Sequence, residues 1–281
     1  DEFLVMKYIL GKLALAGNIY PAVIPAVSTE NMNTIVSTIK GISNKLEYMS
    51  DLYNMANVQT FSTKSEQYIL LTSQFEADMD VNVLASAFNM DKAQFMGQRV
   101  GVDGFNILDL PRLAIIFQDD PSYTPFTSEE LTALGNIPAM IIDKDFFMIF
   151  DNLTEMTDIQ NPKGLYWNYF YHVWKTFSAS PFANAVLFTS TTPAITSVTL
   201  TPATADAIAG STLQLSVVVV ATGFANEDVI YTITGGKDTT TITPNGTLTI
   251  GADETSGTAI TVTATSVFDN TKTDSSVITV V

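Results

Sequence analysis

Near Pro193 the chain changes character so sharply that one folding pattern cannot run through both halves. Before that point aromatic residues and helical hydrophobic spacing dominate. After it only Phe224, Tyr231 and Phe268 remain of the aromatics, threonine rises to about a quarter of the residues, and helical spacing disappears. The 281 residues therefore divide into two domains, 1–192 and 193–281, as expected at roughly 100–200 residues per domain. The apolar fraction of 46% is enough to fill a core in each.

The second half reads as all-β. Short β-branched runs recur at Thr196 to Leu200, Thr212 to Val220, Val229 to Ile233, Thr247 to Ile250, Ala259 to Ala264 and Ser276 to Val280. Turn signals at Thr201-Pro202, Gly235-Gly236 and Pro244-Asn245-Gly246 separate them, and Asn245-Gly246 reads as a tight hairpin turn. Six or seven short strands at this spacing predict an antiparallel sandwich.

The first half is mixed. Phe3, Met6, Leu10 and Leu13, with Leu4, Tyr8 and Leu15, predict one helix over Asp1 to Ala16, stopped by Gly17-Asn18 and Pro21. A second helix opens at Ser28 or Thr29, buries Met32, Ile35, Val36 and Ile39, and closes near Gly41. Tyr68 to Thr72 and Met140 to Ile142 read as buried strands, and Asp80 to Phe88 returns to helical spacing. Asn106 to Pro138 is rich in turn formers, among them Pro111, Asp119-Asp120-Pro121, Pro125 and Gly135. It reads as an insertion or long loop with a short helix starting at Thr127-Ser128-Glu129-Glu130. Along the strand Tyr166 to Phe177, Trp167, Tyr169, Tyr171 and Val173 point one way and Tyr166, Asn168, Phe170, His172 and Trp174 the other. Apolar residues on both sides predict that both faces are covered, by a helical layer and a neighbouring element.

Charge and composition exclude several functions. With 13 Lys and Arg against 29 Asp and Glu the formal charge is −16, so the surface repels phosphate and specific nucleic-acid binding is not expected. The absence of Cys removes disulfides, thiolate nucleophiles and Cys-ligated metals. Apolar runs no longer than Phe146 to Phe150 or Val217 to Ala221 fall short of the ~20 residues of a membrane helix. A chain that opens on Asp1 directly into a helical pattern reads as a piece of something longer.

Catalytic arrangements are not found. His172 is the single imidazole, sits mid-strand among aromatics and has no Gly-x-Ser-x-Gly turn to serve, so it is read as a packing residue. The acidic clusters Glu76/Asp78/Asp80, Asp119/Asp120, Glu129/Glu130 and Asp143/Asp145 are expected by chance among 29 acids and read as solvated faces and helix starts. Asp78-x-Asp80-x-Asn82 opens like a calcium loop, but Val83 stands where glycine is needed and Asn89 where glutamate is needed. Asn152 and Asn245 each begin a glycosylation triplet that a three-residue pattern produces by chance. No catalytic, cofactor-binding or metal residues are assigned, and no cofactor is expected.

Two ordered stretches carry a family likeness. One is Val83-Leu-Ala-Ser-Ala-Phe-Asn-Met-Asp-Lys-Ala-Gln-Phe-Met-Gly97 followed by Val102-Asp-Gly-Phe105. The other is Asp143-Lys-Asp-Phe-Phe-Met-Ile-Phe-Asp-Asn152, continued by Asn161 to Trp174 and by Pro181 to Val186. Over residues 1–195 the chain resembles the major capsid protein of short-tailed phages of the phi-29 group, whose fold is of the Hong Kong 97 type. The tail, with Ile195 to Ala203, Gly210 to Leu215, Asn245 to Leu248 and Ala259 to Ala264, is similar to the group 2 bacterial immunoglobulin-like domain.

The resemblance implies an α+β capsid core in which the helix from Asp1 is the spine and about Ser65 to Phe188 the axial domain, followed by an all-β Ig-like sandwich. It implies a structural protein of a tailed phage or prophage, not an enzyme, that self-assembles into an icosahedral shell around double-stranded DNA. The implied partners are copies of itself in capsomers, a scaffolding protein and a portal, with no membrane; the implied location is the virion, and the host cytoplasm during assembly. The family's N-terminal arm and extended two-stranded loop do not precede the helix here. The chain by itself is therefore expected to stay a monomer or small oligomer. A bacterial surface protein with an Ig-like stalk is the alternative, and it expects exposed aromatics around Trp167 and Trp174. A carbohydrate-active enzyme and a capsid-derived compartment are the others.

Overall fold

The computed structural model describes residues 1–81 and 98–281. They form two compact units, one of Asp1–Leu13 and Pro25–Phe188, the other of Ala14–Ile24 and Thr189–Val281. The architecture is mixed α and β, with strands the larger part. In chain order the first elements are α1 (Glu2–Leu15), β1 (Tyr20–Val23), α2 (Met32–Lys45), β2 (Gln67–Thr72), α3 (Ser73–Met79) and β3 (Gln98–Val102). Then come α4 (Leu110–Ile116), α5 (Ser128–Gly135), β4 (Ala139–Asp143), β5 (Phe147–Asn161), β6 (Tyr166–Ala179) and β7 (Ala185–Thr189).

In the first unit four strands run in the order β7-β4-β2-β3. β4 lies antiparallel to both β7 and β2, with Ile141 opposite Val186 and Ile69, while β3 is parallel to β2, with Leu70 opposite Val100. Apolar runs without alternation, as in β4 and β7, fit strands buried on both faces. α2 buries Met32, Ile35, Val36, Ile39 and Ile42 at helical spacing. It runs through Gly41 to Lys45, four residues past the expected end, because Ile42 and Leu46 continue the buried stripe.

A buried polar network ties these layers together. The Gln67 amide nitrogen donates to the carbonyls of Ser43 (3.0 Å) and Ser62 (2.8 Å), and its oxygen accepts from the Ser43 hydroxyl. Ser62 donates to Asp143 and accepts from the Asn184 amide at 3.0 Å. Each group being paired, the burial carries no unmet desolvation cost.

Asn106 to Pro138 is not a structureless loop. Pro111 occupies the first turn of α4, where its missing N–H costs nothing, and Asp109 caps that helix by accepting from the Arg112 amide at 3.0 Å. Thr127 and Glu130 form a reciprocal capping box on α5, as expected for a helix starting there. Pro111 is thus a helix start rather than a loop residue, whereas Asp119-Asp120-Pro121 and Pro125 do lie in the turns and irregular chain between α4 and α5. Tyr8 of α1 packs on Phe117, Tyr123 and Phe126, with ring centroids 5.3 Å away in each case. The helix expected over Asp80 to Phe88 lies almost entirely outside the described residues, as does Val83 to Gly97. α3, just before it, was not anticipated.

The second unit holds β8 (Ala194–Thr201), β9 (Thr204–Ala207), β10 (Thr212–Gln214), β11 (Ser216–Thr222) and β12 (Val229–Thr234). It continues with β13 (Thr241–Ile242), β14 (Thr247–Thr249), β15 (Ala259–Ser266) and β16 (Thr273–Val280). β12-β15-β16-β9 form one sheet, β11-β8 a second and β10-β14-β13 a third. One apolar core of Ile195, Leu200, Leu215, Leu248, Ile260, Val262 and Ile278 serves all three. Two expectations change. Thr212 to Val220 breaks into β10 and β11 because Leu215 turns into the core, and β9 runs parallel to β16, so the pairing is not wholly antiparallel. At Asn245-Gly246 the chain turns between β13 and β14, with Gly246 at φ 79° and its amide donating to the Thr243 carbonyl at 2.9 Å.

Candidate interaction surface

The acidic clusters are occupied by local structure. Glu76 accepts from Arg99 at 2.7 Å, Asp120 caps Ser122, Glu130 sits in its capping box and pairs with Lys12 at 3.0 Å, and Asp143 is part of the buried network. The Ser122 hydroxyl and amide hold the Asp120 carboxyl below its usual range. For Glu130, burial pushes upward, but the Thr127 amide and Lys12 outweigh it and the net shift is downward. Among the described residues no group of three or more His, Asp or Glu is placed to hold a metal ion, and no helix is long and apolar enough to cross a membrane.

Two concavities among the described residues lack the features of a chemical site. A cavity of about 130 Å³ in the first unit is lined by Phe3, Leu10, Leu70 and Phe105, with Lys7 as its charged side chain. Lys7 is already held by Asp103 and the Ile107 carbonyl, both at 2.6 Å. An open groove of about 720 Å³ in the second unit holds Tyr231, Gln214, Glu227 and Asp228. Burial, then the neighbouring Asp228, raises the Glu227 carboxyl above its usual range. These two acids are chain neighbours on one wall, whereas glycoside hydrolysis needs carboxylates facing each other across the bond.

The unusual surface of the molecule is the antiparallel ribbon β5–β6. Its strands of 15 and 14 residues span roughly 45–50 Å at about 3.3 Å per residue, and neither contains a buried residue. Beyond the bulge, Leu153 faces Trp174, Glu155 faces His172 and Ile159 faces Asn168 on one side, with Phe170 and Tyr166 on that same face. The opposite face carries Met156 opposite Tyr171, Asp158 opposite Tyr169 and Gln160 opposite Trp167. The alternation read from the sequence is thus correct, but among the described residues neither face is covered. Trp174 is 66% exposed and Tyr171 68% exposed, and Trp167, Tyr169 and Phe170 are exposed as well. His172 is likewise exposed across from Glu155 and is not a packing residue.

The sequence expectation failed for a physical reason. Covered strands and strands awaiting cover share one pattern, because both must present apolar side chains on two faces. The partner strand β5 beyond Phe150 was also missed, since Asp151 to Asn161 alternates too weakly to read as a strand. The available signal was Asn161-Pro162-Lys163-Gly164, a turn sequence directly before the aromatic run.

Local chemistry fixes both ends of the ribbon. At the tip, the Asn161 side-chain oxygen accepts from the amides of Lys163 and Gly164, each at 3.1 Å, and its carbonyl accepts from the Leu165 amide at 2.9 Å. Leu165 is thereby held at φ 52°, a conformation bulky side chains seldom adopt. Gly164 lies against the Tyr166 ring, where a Cβ would collide. At the root, Phe146 is fully buried and its carbonyl accepts from the Ser180 amide at 2.8 Å. Lys175 pairs with Glu2 at 2.6 Å and Asp151 at 2.9 Å, and these contacts, Glu2 first, raise its ammonium above the usual range. At Asn152 the pairing slips by one residue, and its amide donates to Thr176 at 2.5 Å.

Comparison with known proteins places this surface in context. The model of the Phi29-like phage major capsid protein family matches residues 1–189. The major capsid protein of Bacillus phage B103 is 33% identical over 261 residues, covering 91% of this chain and 52% of that protein. That of Bacillus phage PZA is 33% identical over 259 residues, covering 90% and 52%. The chain thus spans about half the length of these curated relatives. In the capsid structure of Staphylococcus phage Andhra, one chain aligns at 15% identity and a TM-score of 0.43, over 67% of this chain and 59% of that one. Exposed aromatics on the ribbon would suit a surface protein as well as a shell, and it is the family match that separates the two. A match running through the ribbon and on to residue 189 means that the chain belongs to the Phi29-like phage major capsid protein family.

Proposed function

We propose that the chain is a shell-building subunit of a tailed-phage head, enclosing double-stranded DNA, and that copies associate through the β5–β6 ribbon. The family match supports the shell, and the observation that carries the ribbon as its contact is the two-faced exposure of that element. An isolated two-stranded hairpin is marginal in water, and one bearing Trp167, Tyr169, Phe170, Tyr171 and Trp174 in the open gains stability only when another surface covers it. A subunit with several such contacts is held by many neighbours at once, so modest affinities accumulate.

In this reading residues 1–192 adopt the Hong Kong 97 type of fold and 193–281 form a group 2 Ig-like domain. Strands alternating around a single core support the latter. The subunit works in the virion and passes through the host cytoplasm, with a scaffolding protein and a portal as partners. No catalytic chemistry is assigned to it. A surplus of carboxylates suits a wall against which packaged duplex must slide.

The test is sedimentation velocity of the full chain across micromolar concentrations. We expect concentration-dependent association that is lost in a variant carrying Trp167→Thr, Tyr169→Thr, Tyr171→Thr and Trp174→Thr. Equal association of both chains would overturn the ribbon as the contact.

A further inference from the structure

A second apolar surface lies on the loop between α2 and β2, within the same unit. The segments around Ser50 and Thr60 form a two-residue antiparallel bridge, each amide donating to the other's carbonyl at 3.0 Å. That register sets Met49 opposite Phe61, and both are exposed. Tyr48 is 74% exposed and Met49 66%, with Leu52 and Phe182 exposed as well. The Ala56 amide donates to the Pro181 carbonyl at 2.9 Å, which draws this loop toward the segment carrying Phe182.

The loop's backbone is held firmly. Asn54 is buried and donates to the Val58 carbonyl at 2.6 Å and to Thr60 at 3.1 Å, while its oxygen accepts from the Val58 amide at 3.0 Å. Thr60 in turn donates to Asn184 at 2.9 Å, and the Tyr53 carbonyl accepts from the Ala185 amide at 2.8 Å. Leu46 and Tyr53 anchor the loop from below. A loop so fixed from inside, yet presenting large apolar side chains outward, has already met the ordering cost of binding.

Area and charge suggest what covers it. One ribbon face and this patch each expose on the order of 500 Å² of apolar side chain, taking about half of a typical aromatic's 150–250 Å² per residue. Joined, they bury roughly 1,000 Å² in total, the lower bound for a specific interface. Beyond its bulge the ribbon carries Glu155 and Asp158 against Lys163. Around the loop Lys40, Lys45 and Lys64 balance Glu47, Asp51 and Glu66, so the patch is locally neutral on a chain of formal charge −16. Ribbon-on-ribbon pairing would set Glu155 and Asp158 against their own copies and leave the loop patch bare. Ribbon-on-patch pairing covers both surfaces without that repulsion.

We propose that the ribbon of one copy seats on the Tyr48, Met49, Leu52 and Phe61 patch of another, so that each copy both gives and receives one contact. This rests on the shell-subunit reading and adds which surface meets which. The test uses two variants of the full chain: a ribbon variant (Trp167→Thr, Tyr169→Thr, Tyr171→Thr, Trp174→Thr) and a patch variant (Tyr48→Ser, Met49→Ser, Phe61→Ser). Each alone is expected to sediment as a monomer. Mixed, they should form a one-to-one heterodimer, because the patch variant keeps an intact ribbon and the ribbon variant an intact patch. Recovery of binding on mixing also shows that both variants are folded.

A patch variant that associates like the unaltered chain would overturn ribbon-on-patch pairing while leaving the ribbon contact intact. A ribbon variant that still associates would overturn the ribbon as the contact, and an unaltered chain that stays monomeric at every concentration would overturn the shell-subunit reading instead. If neither variant recovers binding on mixing, cysteines decide the matter, the parent chain having none: Gln160→Cys, opposite Trp167 on the face of Tyr169 and Tyr171, in one copy and Ser50→Cys in another. A cross-link between these two, and not between two Gln160→Cys copies, is the expected result; the reverse pattern overturns the proposal.

Discussion

Strands β15 and β6 look alike as lists of β-forming residues, yet they solve opposite problems. β15 alternates strictly, with Ile260, Val262 and Ala264 fully buried and Thr261, Thr263 and Thr265 turned away from the core. It is finished within its own sandwich. β6 places aromatics on both sides and buries none of its residues. The comparison teaches that side-chain periodicity reports which faces are apolar, while whether they are covered depends on what the chain itself has available to lay over them.

The largest contrast to test is energetic. Ile260→Ala should destabilise the second unit by about 2–5 kcal/mol, a buried aliphatic side chain being replaced by a cavity. In dilute chain Trp174→Ala should cost less than about 1 kcal/mol, although it removes far more atoms, because its ring is already in water. Urea denaturation followed by far-ultraviolet circular dichroism measures both. Comparable losses would mean that the ribbon is packed within its own chain, and the distinction would collapse.

A smaller effect sharpens the contrast between the rest of the first unit and its ribbon. Lys144 first, then the Thr63 hydroxyl and amide, hold Glu66 at about 2, below its usual 4.5. A carboxyl depressed in the folded state stabilises above the unfolded value, and that contribution fades as pH falls from 4.5 toward about 2. Thermal melts of Glu66→Gln should therefore show a shallower loss of stability across that window than the parent chain. The same substitution should leave ribbon-mediated association at neutral pH unchanged. An unaltered acid slope would show that this contact is unimportant to the fold.

Much of the architecture was legible in the residues. The helix from Asp1, the stripe on α2, the capping box at Thr127 and most strands of the second half all follow from local rules: period, caps and turns. What failed did so where a local rule has two readings. Pro111 and Asp109 are loop formers in isolation and helix starters in context. Gly41 is a helix stop unless the apolar stripe continues beyond it. The aromatic run beginning at Tyr166 gave its own facing correctly and its surroundings wrongly, since cover is a property of the assembled chain. The loop patch left no signal, because Tyr48, Met49, Leu52 and Phe61 become one surface only once the Ser50–Thr60 bridge brings them together.

Both tryptophans of the chain, Trp167 and Trp174, sit on the ribbon, so intrinsic tryptophan fluorescence reports on that element alone. Emission and acrylamide quenching should be followed from nanomolar to high micromolar concentration alongside sedimentation. The account predicts red-shifted, readily quenched emission in the dilute chain, turning blue and protected in step with association. Emission that is already blue and protected when dilute, or unchanged as copies associate, would contradict it.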